Sequence, residues 1–261
     1  MNISLENRNA LVCGSSKGIG SASAKLLAKM GANVTLAARS EDKLKAMLLE
    51  LDTSKGQQHD YIIVDYNIQA DLRAKVESLA SKKNIHILVN NTGGPPSGPI
   101  AKATTEAFLA AYNQHLICNH ILATTLLPGM EADGFGRIIN IISTSVKSPL
   151  ANLGVSNTTR GAVASWSKTL AGEVANKGIT VNNVLPGATN TGRLDEIIEN
   201  KAKKMNKTKD ETIKSMQSII PMGRFAEPSE IAAAIGFLAS PAASYITGIN
   251  IPVDGGRTKC L

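Results

Sequence analysis

The feature that constrains this chain most is a short apolar run, Asn9–Cys13, followed at once by Gly14-Ser15-Ser16-Lys17-Gly18-Ile19-Gly20 and then by a helical pattern over residues 21–30. A strand, a glycine-rich turn and a helix in that order form the start of a βαβ unit. Glycines let a backbone approach a pyrophosphate closely, and the helix start offers free N–H groups and a positive dipole end. A second strand, Asn33–Ala38, follows at the spacing a parallel crossover needs.

The alternation continues to the far end. Strands are expected at 61–64, 85–89, 137–142, 180–185 and 249–253, with helical patterns between them over 41–51, 69–83, 104–130, 154–177 and 227–238. Pro128 is expected to stop or bend the fourth of these helical regions. Repeated βα order predicts one α/β domain built on a doubly wound parallel sheet of about seven strands, with helices on both faces and right-handed crossovers. Residues 193–217 read as a polar, charged helical segment without a strong apolar face, expected to form a mobile lid at about 190–220. With aromatics at only 3 % of residues, the core must be aliphatic.

Composition excludes several function classes. No apolar run is long enough to span a bilayer, and the amino terminus has no apolar signal core, so no membrane partner and a cytoplasmic setting are expected. The triplets at Asn2, Asn157 and Asn206 carry no glycosylation meaning in that setting. Cys13, Cys118 and Cys260 are too few and too scattered for a disulfide framework or a metal site. The net charge of +7 raises nucleic acid as a partner. However, the lysines concentrate in residues 201–214 without interleaved aromatics, so a solvated helix is expected, or an anionic substrate nearby.

The ends of the strands hold the candidate site, because open parallel sheets build sites there. Arg39 follows the second strand directly, where an acidic residue would bind a ribose 2′-hydroxyl and an arginine suits a 2′-phosphate. With Lys17 in the glycine loop, this favours NADP(H) over NAD(H). Asp65 closes the third strand and is placed to accept from an adenine amino group. His86 reads as structural. Ser143 closes the fifth strand, and Ser156 and Arg160 share one face of the next helix at i, i+4.

Taken together, Gly14–Gly20, Asp65, Asn90-Asn91-Thr92-Gly93, Ser143, Pro186-Gly187 with Thr191, Tyr245–Gly248 and Asp254–Gly256 occur in order along nearly the whole length. On these motifs the chain resembles the short-chain dehydrogenase/reductase family, most nearly its β-ketoacyl-(acyl-carrier-protein) reductase branch, and the resemblance implies a Rossmann-type fold. It also implies that Gly14, Ser16, Lys17, Gly18, Ile19 and Gly20 hold the cofactor phosphates and that Arg39 binds the 2′-phosphate. Asp65 would meet the adenine, Asn91 and Gly93 would lie along the cofactor, and Pro186, Gly187 and Thr191 would frame the nicotinamide. Ser143 would orient a small-molecule or carrier-bound carbonyl substrate. The carboxyl-terminal part resembles the family's subunit-packing region, implying a homotetramer, with a dimer as runner-up.

One part of the resemblance breaks. Counted from Ser143, the family's Tyr-x-x-x-Lys pair falls on Ser156 and Arg160, and its helix asparagine falls on or near His115. Reducing a ketone needs hydride on carbon and a proton on oxygen. A serine hydroxyl is far less acidic than a phenol, and arginine is a poor proton shuttle. The expectation is that His115, with Ser143 and Ser156, forms an alternative proton path, while Arg160 acts as an electrostatic anchor. A catalytically silent dinucleotide-binding sensor or scaffold is the second reading.

Overall fold

A computed structural model of the chain describes residues 1–260. Seven parallel strands form one sheet in the order β3-β2-β1-β4-β5-β6-β7. They are β1 (Asn9–Cys13), β2 (Asn33–Ala38), β3 (Asp60–Ile63), β4 (Ile87–Asn90), β5 (Gly136–Ile141), β6 (Ile179–Pro186) and β7 (Asn250–Val253). The order reverses between β1 and β4, which pair through Ala10 and Ile87, Leu11 and Leu88, and Val12 and Val89. Crossovers from these two strands leave in opposite directions, so a crevice opens at their carboxyl ends.

Helices α1 (Gly18–Lys29), α2 (Glu41–Leu48) and α3 (Gln69–Ala80) serve the first half of the sheet. Helices α4 (Thr105–Tyr112), α5 (Cys118–Ala132), α6 (Gly154–Val174), α7 (Gly192–Met205), α8 (Lys209–Gln217) and α9 (Pro228–Ala239) serve the second. Two aliphatic cores follow. Leu27, Leu36, Val89, Ile139 and Ile235 belong to one. Leu11, Leu88, Leu122, Ile138 and Val181 belong to the other. Alternate residues of β4 and β5 fall in different cores, as the two-residue period of a strand requires.

The central strands also carry a polar row. Asn90, Asn140, Asn183 and Asn250 are in register across β4, β5, β6 and β7. Asn90 Nδ2 donates to Asn140 Oδ1 at 2.8 Å, Asn140 Nδ2 to Asn183 Oδ1 at 3.0 Å, and Asn183 Nδ2 to Asn250 Oδ1 at 2.8 Å. The Ser167 hydroxyl of α6 joins the row, donating to Asn183 Oδ1 and accepting from Asn140 Nδ2. Buried amides are tolerated here because each bonds to the next, with only the Asn90 Oδ1 at the β4 end left without a partner among the described residues.

Three expectations are refined. The helical region over 104–130 is helical throughout, but a π-helical turn at Asn113–Ile117 interrupts its α-helical pattern and divides α4 from α5. Pro128 lies near the end of α5 as expected but does not itself stop the helix, which runs on to Ala132. The carbonyl it frees, on exposed Thr124, lies on the solvent face, while Leu126 and Met130 pin the other face to the core. The segment over 193–217 is two helices broken at Asn206, which is left-handed at φ 50°. It does have an apolar face, with Leu194 and Ile198 packing with Ile220 and Phe225. The excursion is tied at its base, where Ala226 N–H donates to the Ala188 carbonyl and Asn190 N–H to the Ala226 carbonyl.

His86 is structural. It precedes β4, accepts from Asn9 N–H at 2.9 Å, and its other ring nitrogen lies 2.9 Å from Asp133. No helix of the described residues is long and apolar enough to cross a membrane.

Candidate cofactor cleft and active site

A cavity of about 970 Å³ opens at the crevice between β1 and β4 and runs to the end of β6. Its floor at one end is the glycine turn. Gly14 is left-handed at φ 59°, and a Cβ there would meet the Asn91 carbonyl oxygen at 2.7 Å. A Cβ on Gly20 would run into the Gly14 carbonyl. The turn is therefore drawn tightly under the cleft wall, and only glycine fits at either position. Gly20 lies beneath this turn and does not line the cavity. Gly14, Ser16, Lys17, Gly18 and Ile19 do line it, as do Arg39, Asn91, Gly93, Pro186, Gly187 and Thr191.

The walls are cationic. Lys17, Lys25, Arg39, Lys43, Arg160 and Arg193 line them, and among the described residues no Asp or Glu does. A donor set of this kind at a helix start fits a dinucleotide carrying an extra phosphate. Asp65 stands after β3 as expected, but its side chain is turned aside. It is absent from the cleft wall, and its carboxylate accepts from both the backbone and side-chain N–H groups of Asn67 at 2.9 Å. The residue after β3 that does reach the cleft is Tyr66, a buried phenol whose pKa is pushed well above the ordinary tyrosine value by burial and then by the neighbouring Cys13.

At the other end lie Ser143, Ser156 and Arg160. Ser143 follows β5, and its hydroxyl accepts from Ser145 N–H at 3.1 Å, fixing the turn. Ser156 and Arg160 project from the first two turns of α6, one above the other. Gly154 starts that helix against Ile100, where a Cβ would meet Ile100 Cβ at 2.5 Å. Arg160 is buried, and one of its terminal nitrogens donates to the Ile141 carbonyl at 2.9 Å. Its pKa is lowered to about 10 by burial, so it stays charged at neutral pH.

His115 is not where the expectation put it. It is 1 % exposed and does not line the cleft. Burial, followed by the nearby Arg160 charge, holds its pKa at about 2, so the ring is neutral at any working pH. It is not an acid poised near neutrality. Its Nδ1 is hydrogen-bonded to Thr92 Oγ1 at 2.6 Å, and Thr92 does line the cleft.

Sequence reasoning missed Thr92, Lys43 and Arg193 as cleft residues. Lys43 sits one turn beyond Arg39, a spacing that signals it. Arg193 opens α7, pairs with Glu196 and donates to the Pro95 carbonyl at 3.0 Å, latching the excursion to the loop after β4. Nothing in the local sequence signals that long-range latch.

A family model described as enoyl-(acyl carrier protein) reductase matches residues 14–258. A 3-oxoacyl-(acyl-carrier-protein) reductase of Vibrio cholerae is 35 % identical over 257 residues, covering 97 % of this chain and 98 % of the relative. The NADPH-dependent reductase BacG of Bacillus subtilis is 30 % identical, covering 98 % and 100 %. Among solved structures, L-sorbose reductase from Gluconobacter frateurii, complexed with NADPH and L-sorbose, superposes with a TM-score of 0.93 at 33 % identity, each chain covered fully. A glycine turn at the switch point, a cationic cleft along the strand ends and full-length likeness to these reductases agree: the chain belongs to the short-chain dehydrogenase/reductase family.

Proposed function

We propose that the chain is an NADP(H)-dependent oxidoreductase acting on a carbonyl or alcohol group, similar to 3-oxoacyl-(acyl-carrier-protein) reductases but with a non-standard catalytic set. The observation that carries this reading is the cleft wall: a glycine cradle at one end, cations throughout and no carboxylate. The NADPH bound in the related sorbose reductase supports the choice of cofactor. Ser16 and the Gly14–Gly20 turn hold the pyrophosphate, while Lys17, Arg39 and Lys43 surround the 2′-phosphate. Asn91, Gly93, Pro186, Gly187 and Thr191 frame the nicotinamide end.

NADPH supplies the hydride. Ser143 donates a hydrogen bond to the substrate oxygen, and Ser156 faces the same space. Arg160 acts as the electrostatic anchor of this end of the cleft. Proton delivery runs through the Thr92 hydroxyl, with neutral His115 behind it. One ring nitrogen engages Thr92, and the other is buried without a partner. In that position the imidazole orients the Thr92 hydroxyl, and the proton that hydroxyl gives to the substrate oxygen is replaced from water in the cleft. The excursion over 190–220 closes on the substrate, with Arg193 as its latch. A homotetramer in the cytoplasm completes the proposal.

The second reading, a silent dinucleotide binder, is favoured by one fact: the only phenol in the cleft wall among the described residues, Tyr66, is held far from an acidic pKa. Two measurements separate the readings. Thermal shift with NADPH, NADH or neither is expected to show stabilisation by NADPH above all. NADPH oxidation against a panel of ketones is then expected to give slow turnover that falls about tenfold or more in His115→Ala. Equal rates in the two proteins remove His115 from the mechanism, and binding without turnover by either establishes the silent reading.

A further inference from the structure

Among the described residues, no carboxylate pairs with the buried charge of Arg160. It is 8 % exposed. Burial is the sole cause acting on its pKa, with no carboxylate opposing it. One terminal nitrogen donates to the Ile141 carbonyl. Its Nε is buried without a hydrogen-bond partner. A cation taken out of water with this little compensation is costly, and folds accept the cost where a ligand completes the pairing.

The other cations of the cleft are accounted for. Lys17, Lys25, Arg39 and Lys43 cluster around the glycine turn and the end of β2, where a dinucleotide brings its phosphates. Arg193 is paired with Glu196. Arg160 stands at the opposite end, beyond the reach of those phosphates, between Ser143 at the end of β5 and Ser156 one helical turn away. The nicotinamide ring that belongs at this end is cationic when oxidised and its ribose is neutral, so the cofactor brings no anion here. The substrate must.

Resting on the dinucleotide reading above, we infer that Arg160, with the Ser156 hydroxyl beside it, is a carboxylate-binding subsite, Ser143 being left to the reacting oxygen, and that the substrate is a small oxo acid. A planar guanidinium with an adjacent hydroxyl donor matches the two oxygens and in-plane lone pairs of a carboxylate. This sets the chain apart from the relatives described above, because a sugar ketone or a thioester-linked ketone presents a neutral group at that place.

The test uses the full chain loaded with NADP⁺. Isothermal titration compares acetoacetate with methyl acetoacetate, and 4-oxopentanoate with its methyl ester, so no turnover is required. At least one acid is expected to bind tenfold or more tightly than its ester. Arg160→Gln should abolish that preference, while Arg160→Lys, which keeps the charge but not the fork, should retain part of it. Esters that bind as well as their acids overturn the inference, as does an acid preference that survives intact in Arg160→Gln. The wild-type acid and ester comparison stands alone if the variants do not fold. Failure of the wild-type protein to bind NADP⁺ overturns the dinucleotide reading and this inference with it. NADP⁺ binding with no discrimination between acids and esters overturns this inference alone.

Discussion

Arg137 and Arg160 bracket the same strand. Arg137 lies at the start of β5 and donates to the Gly136, Gly178 and Ser240 carbonyls. Its guanidinium also lies over the Phe135 ring at 4.1 Å, with Arg8 over the same ring at 4.0 Å. Arg160 reaches the end of β5 from α6 and donates to one carbonyl, that of Ile141. Burial lowers both pKa values to about 10. The two residues face the same desolvation problem, and the fold solves it only once. At the bottom of the sheet the charge is spread over three carbonyls and an aromatic face, so the arginine is part of the scaffold. At the top it is left half-satisfied, facing the cleft. A buried cation with a complete set of partners is architecture, whereas one with an incomplete set beside a cavity is a binding feature.

The comparison is sharpened most by removing the scaffold arginine. Arg137→Met leaves interior carbonyls without a donor and should cost about 3 kcal/mol of stability in urea unfolding. A loss below about 1 kcal/mol would break the contrast. Acid unfolding comes next, because each arginine has a histidine nearby. His86, at the Arg137 end, is depressed by burial and then by Arg8, but Asp133 partly offsets this. His115, at the Arg160 end, has no such relief, and its pKa falls to about 2. A histidine held neutral in the native state but free to protonate near 6.5 when unfolded lowers stability as pH falls. Between pH 6.5 and 4.5 His115 should account for about 2.3 kcal/mol of that loss, the slope reaching about 1.4 kcal/mol per pH unit at the lower end. His115→Gln should flatten the profile by the same amount, as read from urea midpoints across that range.

A smaller effect is expected at the cleft's adenosine end. Arg39 is exposed and shows no hydrogen bond among the described residues, so Arg39→Asp should leave the melting temperature nearly unchanged. It should weaken NADPH binding about tenfold, or about 1.4 kcal/mol, and bring NADH to parity, as read by nucleotide fluorescence titration. Smallest of all is Arg160→Met. Replacing a poorly paired buried charge with a side chain of similar length should change stability by less than about 1 kcal/mol. A loss as large as that of Arg137→Met would make Arg160 scaffold after all.

Much of the architecture was legible because its signals are local. The apolar runs and the glycine turn of residues 9–20 are local patterns, and all seven strands lie within a few residues of where those patterns put them. The phosphate end of the cleft was legible for the same reason: Lys17 and Arg39 sit beside the turn and strand that place them. What escaped depends on contacts between distant segments. Asn90 reads as the start of a loop, yet it is the last residue of β4, because Asn140 stands opposite to receive its amide. Leu194 and Ile198 look too sparse to form an apolar face until Ile220 and Phe225 arrive from the far side of α8. His115 looks like a titrating acid until Arg160 and the core close around it. Asp65 has the right position but turns its carboxylate to Asn67, two residues away.

The asparagine row has a consequence for how the sheet assembles. A parallel sheet of aliphatic strands has little to choose between one alignment and the next, since valine and isoleucine pack tolerably against either neighbour. Four amides that must meet edge to edge act as a parity check on β4, β5, β6 and β7. Sliding any one strand by a residue turns its asparagine to the opposite face and leaves two buried amides without partners, at about 1–3 kcal/mol each. The check also makes the row hard to alter piecemeal: each interior member satisfies two neighbours, so a single replacement is penalised twice. The strand ends that form the cleft inherit their alignment from this row, and with it the relative placement of Ser143, Pro186 and Asn91.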